Sequence, residues 1–579
     1  MFHDTYHAPD QHQQTIGPFL SSTRVAYFSM EIALHPQMHT YSGGLGVLAG
    51  DTARSAADLE LPMVFVTLVS RRGYLRQTLD DSGWQNSAPD PWPVEQFATP
   101  LRAKLALPIN GREVWIKPWL YVLRSPIGHD VPVLLLDTDL PENDPRDRSI
   151  TDQLYGGDAE YRLRQEIVLG IGGLRLLSAL GFADIKAYHL NEGHAALLAL
   201  DLLRRYPRPP DQVGDLDLKY DVGRVRQMCI FTTHTPVEAG HDVFSYDLVR
   251  ELLPDYIELD QLRLLSGQDK LNLTRLALTL SGFVNGVAQR HARTTRAMFP
   301  GYRIRAITNG VHLPTWAHAA FARLYNEHYP SWGLEPEALS QADQLPGTLI
   351  WDAHGQARQD LMRLVAEQTG VELDPARPII GYARRMTSYK RPELLFSDLE
   401  RLRAINRRFP FQIVLAGKAH HRDEPGKRHI QNIFGHIRDL AGEIPVAFIP
   451  NYEVTVAAAL VPGVDVWLNT PVPPMEASGT SGMKAALNGV LNLSVLDGWW
   501  IEACLEGVTG WAIGEDGGHG AAQATAEDLY AKLEQAVLPL FHEDRAAWIR
   551  MMKQAISKIA PTFNTQRMMR RYAAEAYVR

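Results

Sequence analysis

At 579 residues the chain is too long for one ordinary domain and fits two or three of roughly 100–200 residues each. Its 45% hydrophobic and 21% charged content is globular, which argues against a disordered chain or a coiled coil. The net charge of −8 argues against a nonspecific nucleic-acid surface, and two cysteines cannot build a disulfide framework, so a cytoplasmic setting is expected.

The first segment, 1–14, is polar and His-rich with no apolar signal core, and no apolar run approaches the ~18 residues of a membrane span. Short apolar runs then predict strands over 24–30, 62–70, 131–137, 185–191 and 227–233, with helical patterns over 163–180 and 195–205. Residues 326–347, rich in Pro, Gly, Ser and acidic side chains, read as a linker with room for helical turns. A second set of strands follows over 378–382, 411–416, 445–449, 464–469 and 490–495, with helices over 356–368 and 393–409. Residues 562–579 read as a terminal helix with Met568, Met569 and Tyr572 on one face. This alternation predicts an α/β protein with two doubly wound parallel sheets, each covered on both faces. In such sheets ligands bind beyond the C-terminal strand ends, which places the expected site in the cleft between the two halves.

Four constellations carry chemistry. Gly43-Gly44-Leu45-Gly46 follows a strand and opens a helix, where free amides attract an anion; a tight packing turn explains the glycines equally well. Arg384-Arg385-Met386-Thr387-Ser388-Tyr389-Lys390-Arg391 puts four cations at a strand's C-terminal end, with Lys418 after the next strand, and reads as an oxyanion site rather than a solvated face. In Glu476-Ala477-Ser478-Gly479-Thr480-Ser481-Gly482-Met483-Lys484 a helix can start at Ser478 or Thr480. Lys484 then lies one turn inside among small apolar residues, where desolvation lowers an amine's pKa, although a snorkelling surface lysine remains the alternative. Lastly, Asn191-Glu192-Gly193-His194, His234 and Asn309 with His312 stand at strand ends and suit sugar hydroxyls. Metal is disfavoured, because His189, Glu192, His194, His234 and His241 lack ligand spacing and have no Cys partners.

Together these residues resemble the α-glucan phosphorylase family, which includes glycogen, starch and maltodextrin phosphorylases. The strongest match is 476–484, extended by Asn488-Gly489 and Asp497-Gly498; the others, in the same order, cover most of the chain. The resemblance implies a GT-B fold of two Rossmann-like domains, 1–316 on the glucan side and 317–560 on the cofactor side, with a helix over 561–579 packing back on the first. It implies pyridoxal phosphate as a Schiff base on Lys484, with Arg384, Tyr452, Thr480, Ser481 and Trp316 around the cofactor. It implies that Arg385, helped by Lys390 and by the Gly43 and Gly44 amides, holds the substrate phosphate. Leu45, His194, His234, Asn309, Glu476, Ser478 and Gly479 would bind the glucosyl unit. The implied reaction is retaining, reversible phosphorolysis of an α-1,4-glucan or maltooligosaccharide by inorganic phosphate to glucose 1-phosphate, with the cofactor's phosphate as acid–base relay. A homodimer stays open, as does a sugar-nucleotide-dependent glucan synthase of the same architecture, or a glucan-binding protein without turnover. Arg384 stands where many members carry Lys, Ser481-Gly482 replaces a Gly-Asn pair, and the lead-in Pro471, Pro473 and Pro474 is unusual.

Overall fold

The computed structural model describes residues 15–214, 217–514 and 522–578. The polar segment 1–14 lies outside them. Two large sheets organise the chain among the described residues. The first runs in the order Arg305–Ala306, Phe283–Gly286, Cys229–Thr232, Ala187–Asn191, Val25–Ser29, Met63–Leu68, Asp130–Asp137, Arg112–Arg124 and Thr99–Pro100, with Leu105–Ile109 paired to the long strand. It is parallel as far as Asp130–Asp137 and antiparallel beyond. The second, Val446–Ile449, Gln412–Ala416, Ile379–Ala383, Val466–Asn469, Leu491–Val495 and Gly510–Ile513, is parallel throughout.

The apolar runs have a simple origin. Successive side chains of a strand point to opposite faces, so a sheet covered on both faces needs apolar residues at every position. Ala26 and Phe28 enter one core, whereas Val25 and Tyr27 enter the core on the other side. The second sheet divides its residues in the same way, with Ile380 and Tyr382 on one side and Ile379 and Ala383 on the other. The helical pattern over 163–180 is a continuous rod, Ala159–Ile167 and Gly173–Leu180 joined by the wider turn Val168–Gly172.

The expected linker contains the end of the helix Ala319–His328 and the tight helical turns Pro336–Gln344. The last helix, Thr565–Tyr572, continues into the turn Ala573–Tyr577 and returns to the first sheet. There Met568, Met569 and Tyr572 pack with Val25 and Tyr27. The Tyr572 hydroxyl accepts from Asn285 Nδ2 at 2.9 Å and pairs with Thr232 Oγ1 at 3.0 Å. No helix among the described residues is long and apolar enough to cross a membrane.

Candidate active site

The loop after the strand Val466–Asn469 carries Glu476 into a cage of cations. Its Oε2 accepts from Arg384 Nη2 and from Lys390 Nζ, both at 2.7 Å. Arg384 follows the strand Ile379–Ala383 directly, and Lys390 closes the turn Ser388–Lys390. Burial would raise the Glu476 carboxyl, but the two cations overcome it and hold the pKa at about 2. Burial, aided by the Arg384 charge, pushes the Lys390 ammonium down to about 8. Arg384 also donates to Asn469. The loop itself is fixed by Asp497, whose Oδ2 accepts from Glu476 N at 2.9 Å; burial pushes that carboxyl up to about 6. Gly498 (φ 55) lets the neighbouring chain close in, because a Cβ there would lie 2.4 Å from the Ser478 carbonyl. Arg384 Nε, Thr387 Oγ1 and Ser478 Oγ are buried without a hydrogen-bond partner.

Lys484 lies in the helix Ser481–Leu487, with Thr480 at the N-cap position but making no side-chain cap. Ser481 Oγ is engaged by Trp467 Nε1 at 3.1 Å. The Lys484 Nζ sits 3.4 Å from the centre of the Trp316 ring and makes no hydrogen bond among the described residues. Burial lowers its pKa to about 8, against the pull of Asp51. Asp51 belongs to the helix Gly44–Asp58 and accepts from Trp316 Nε1 at 2.8 Å. Lys484 therefore stands on the seam between the halves. Asn488 stitches the same seam, donating to the Trp316 carbonyl at 2.9 Å and accepting from His318 N at 2.7 Å.

On the first sheet, Asn191 and Glu192 leave the end of the strand Ala187–Asn191, with Glu192 in the left-handed region (φ 73). Glu192 accepts from His234 N at 2.7 Å and from Thr235 Oγ1 at 2.9 Å. His234 Nε2 faces Asn191 Oδ1 at 2.7 Å; a carbonyl oxygen only accepts, so the proton is on Nε2. Burial lowers the His234 pKa to about 4, leaving a neutral imidazole near pH 7. Asn309 Oδ1 is buried without a partner. His194 pairs with Asp242 at 3.1 Å, so one ring nitrogen is committed to the fold. His291, missed in the sequence, has its Nδ1 fixed by Val287 N at 3.1 Å and its buried Nε2 unpartnered.

The glycine loop is set by Glu31, also missed. Its carboxylate accepts from Ser42 N at 2.6 Å, Gly43 N at 3.2 Å and the Tyr155 hydroxyl at 2.9 Å. The Gly43 amide is thus already used, and Gly44 and Leu45, the first residues of the helix Gly44–Asp58, supply the free first-turn amides. Arg385 is exposed, with Tyr74, Tyr389, Glu31 and Tyr155 within electrostatic reach of its guanidinium. Glu31, which holds the glycine loop, is one of these neighbours, and so the loop and the cation run belong to one neighbourhood. Tyr452 lies beside Arg384, and burial raises its phenol. Lys418 Nζ instead donates to the Leu75 carbonyl at 3.1 Å. Among the described residues no group of three or more His, Cys, Asp or Glu could hold a metal ion. Glu31 stands just after the strand Val25–Ser29, a position that the strand-end rule could have flagged.

Residues 255–509 match the family described as carbohydrate phosphorylase. The maltodextrin phosphorylase of Thermococcus litoralis is 38% identical, over 96% of this chain and 70% of its own. The glycogen phosphorylase of Mycobacterium tuberculosis is 37% identical over 98% of this chain and 72% of its own, and that of Aquifex aeolicus 34% identical over 96% and 86%. The chain belongs to the carbohydrate phosphorylase family and is an enzyme, a glycosyltransferase.

Proposed function

We propose that the protein is an α-glucan phosphorylase of GT-B architecture, with a glucan-side domain over 1–316, a cofactor-side domain over 317–560 and a returning helix over 561–579. It moves the terminal glucosyl unit of an α-1,4-glucan to inorganic phosphate, reversibly and with retention, giving α-glucose 1-phosphate. The observation that carries this reading is Lys484, a buried amine with no hydrogen bond among the described residues, its pKa lowered to about 8 and capped by Trp316. Arg384 Nε and Ser478 Oγ are buried without a hydrogen-bond partner among the described residues, which suits a phosphorylated group that brings its own acceptors and donors. Pyridoxal phosphate fits this donor set. Lys484 would hold it, with Arg384, Tyr452 and Thr480 toward its phosphate and Trp316 along its ring. When bound, it supplies a phosphate whose second pKa near 6 suits acid–base work at neutral pH.

The chain's own residues do the rest. Arg385, with the Gly44 and Leu45 amides opposite, binds inorganic phosphate as a cation and a helix N-terminus bind an oxyanion. Glu476, ionised at neutral pH, accepts from a sugar hydroxyl while balancing Arg384 and Lys390. Neutral His234 and Asn309 Oδ1 take further hydroxyls, and the backbone of His234 would lie near the anomeric carbon of the glucosyl unit. A hydrolase would place two carboxylates about the bond; here the carboxylates are tied to cations and amides, which leaves acid–base work to phosphate. The test is the near-ultraviolet and visible absorption of the purified protein. One acid-releasable pyridoxal phosphate per chain is expected, and Lys484→Ala should lose both cofactor and activity. Full activity of that variant without added cofactor contradicts the reading.

A further inference from the structure

The hairpin Arg76–Leu79 and Gln85–Ala88 belongs to neither large sheet. Its two glutamines are 2% and 1% exposed. Gln77 N donates to Asn451 Oδ1 at 3.0 Å, and Asn451 N donates back to Gln77 Oε1 at 2.7 Å. Gln77 Nε2 donates to the Gly417 carbonyl at 2.9 Å and to Gln85 Oε1 at 2.8 Å. Gln85 then forms a rung with Ala419, its Nε2 donating to the carbonyl at 2.8 Å and its Oε1 accepting from the amide at 2.9 Å. Only a side chain with both a donor and an acceptor at its tip can pair with a backbone in this way. The hairpin's tip is pinned as well. Gln431 Nε2 donates to Ser82 Oγ at 3.1 Å, and Gly83 (φ 83) lies where a Cβ would be 2.3 Å from the Phe434 ring.

The two loops gripped in this way adjoin the candidate phosphate site. Met386 N donates to the Lys418 carbonyl at 3.0 Å and Arg384 N to the Ala416 carbonyl at 3.3 Å, so the segment carrying Arg384 and Arg385 hangs on the loop held by the glutamines. Asn451, held left-handed (φ 51), precedes Tyr452. Tyr74, two residues before the hairpin, lies within electrostatic reach of Arg385.

We propose that this hairpin is a latch between the halves and that Gln77 and Gln85 are positioning residues, which keep the cations aligned and the cleft dry so that the glucosyl group passes to phosphate rather than to water. The kinetic part rests on the phosphorylase reading, whereas the latch does not. Transfer to phosphate yields glucose 1-phosphate; transfer to water yields free glucose.

The test compares the wild-type holoenzyme with Gln77→Leu/Gln85→Leu and with the milder Gln77→Glu, which keeps the acceptor for Asn451 N and loses the donor to Gly417. Hydrogen exchange over residues 415–420 and 449–453 should quicken at least about tenfold in the double variant, with strand Val25–Ser29 unchanged. Unchanged exchange at both segments overturns the latch, whatever the enzyme does. With maltoheptaose and inorganic phosphate, the ratio of glucose to glucose 1-phosphate should rise at least about tenfold, and in part for Gln77→Glu. A wild type that makes glucose 1-phosphate together with variants of unchanged ratio overturns the positioning role. A wild type that makes none overturns the phosphorylase reading, and with it the positioning role, and leaves the exchange result to decide the latch.

Discussion

Lys484 concentrates the conflict between stability and function in one side chain. An amine normally near 10.5 is brought to about 8 by burial, so below pH 8 the cost of burying its charge is fully present. Between pH 8 and 10.5 the folded protein gives up its proton before the unfolded chain does, and stability rises with pH. In cofactor-free protein, Lys484→Met should therefore be more stable than wild type by up to about 3 kcal/mol at pH 7, the gap closing toward pH 10.5; urea midpoints across that range check it, and a variant less stable at pH 7 contradicts it. Glu476 has the opposite sign. Its pKa falls from 4.5 to about 2, so its pairing stabilises the fold above pH 4.5 and is lost as pH drops toward 2. Glu476→Gln leaves Arg384 and Lys390 buried without their counter-charge and should cost about 3–5 kcal/mol at pH 7 while removing that part of the acid slope. Equilibrium unfolding of both proteins from pH 7 to 2 measures each. The burial of Lys484 was legible from its Gly, Met and Ala neighbours. The strand-end position could have flagged Glu31, but the partners of Glu31 and Asp51 were not legible, because they come from chain remote in sequence, Tyr155 for Glu31 and Trp316 for Asp51.

At the scale of elements, the ten strands expected from apolar runs all form, since a strand buried on both faces must be apolar throughout. The strands that escaped notice have physical reasons to. Phe283–Gly286 ends in Asn-Gly and Gly510–Ile513 begins with glycine, so neither offers a run to read, whereas the short apolar stretch 304–307 contains the strand Arg305–Ala306. Arg112–Arg124 lies at the antiparallel side of its sheet and mixes Lys117 and Pro118 among its apolar residues. The helix Gly44–Asp58 shows how an element aims a site. A Cβ on Gly46 would lie 2.6 Å from Glu31 Oε2 and 2.7 Å from Tyr41 Cβ, so only glycine lets the first turn close over the carboxylate that orients it. Gly46→Ala should cost about 1–3 kcal/mol and turn the Gly44 and Leu45 amides away from Arg385. A raised KM for phosphate with a smaller change in kcat is expected; unchanged KM would show that these amides do not meet the substrate.

Over the whole molecule, the net charge of −8 gave no sign of a local cluster of cations, where Arg384 and Lys390 converge on the Glu476 carboxylate and Arg385 follows in the same segment. The first and second parts of the chain are joined at several points. The hairpin latch is one, the Lys484–Trp316 seam another, and Glu502, which accepts from Gln289 N at 2.9 Å and Thr308 Oγ1 at 2.8 Å, a third. None of these pairings could be read from the sequence, because each joins residues more than a hundred positions apart. Phosphorus-31 NMR of the cofactor-bearing protein with maltoheptaose and inorganic phosphate follows the proposed transfer of a glucosyl group to phosphate as it happens. A growing α-glucose 1-phosphate signal is expected, absent without protein or without glucan. Protein carrying one pyridoxal phosphate per chain that forms no sugar phosphate, or that releases only free glucose, would contradict it.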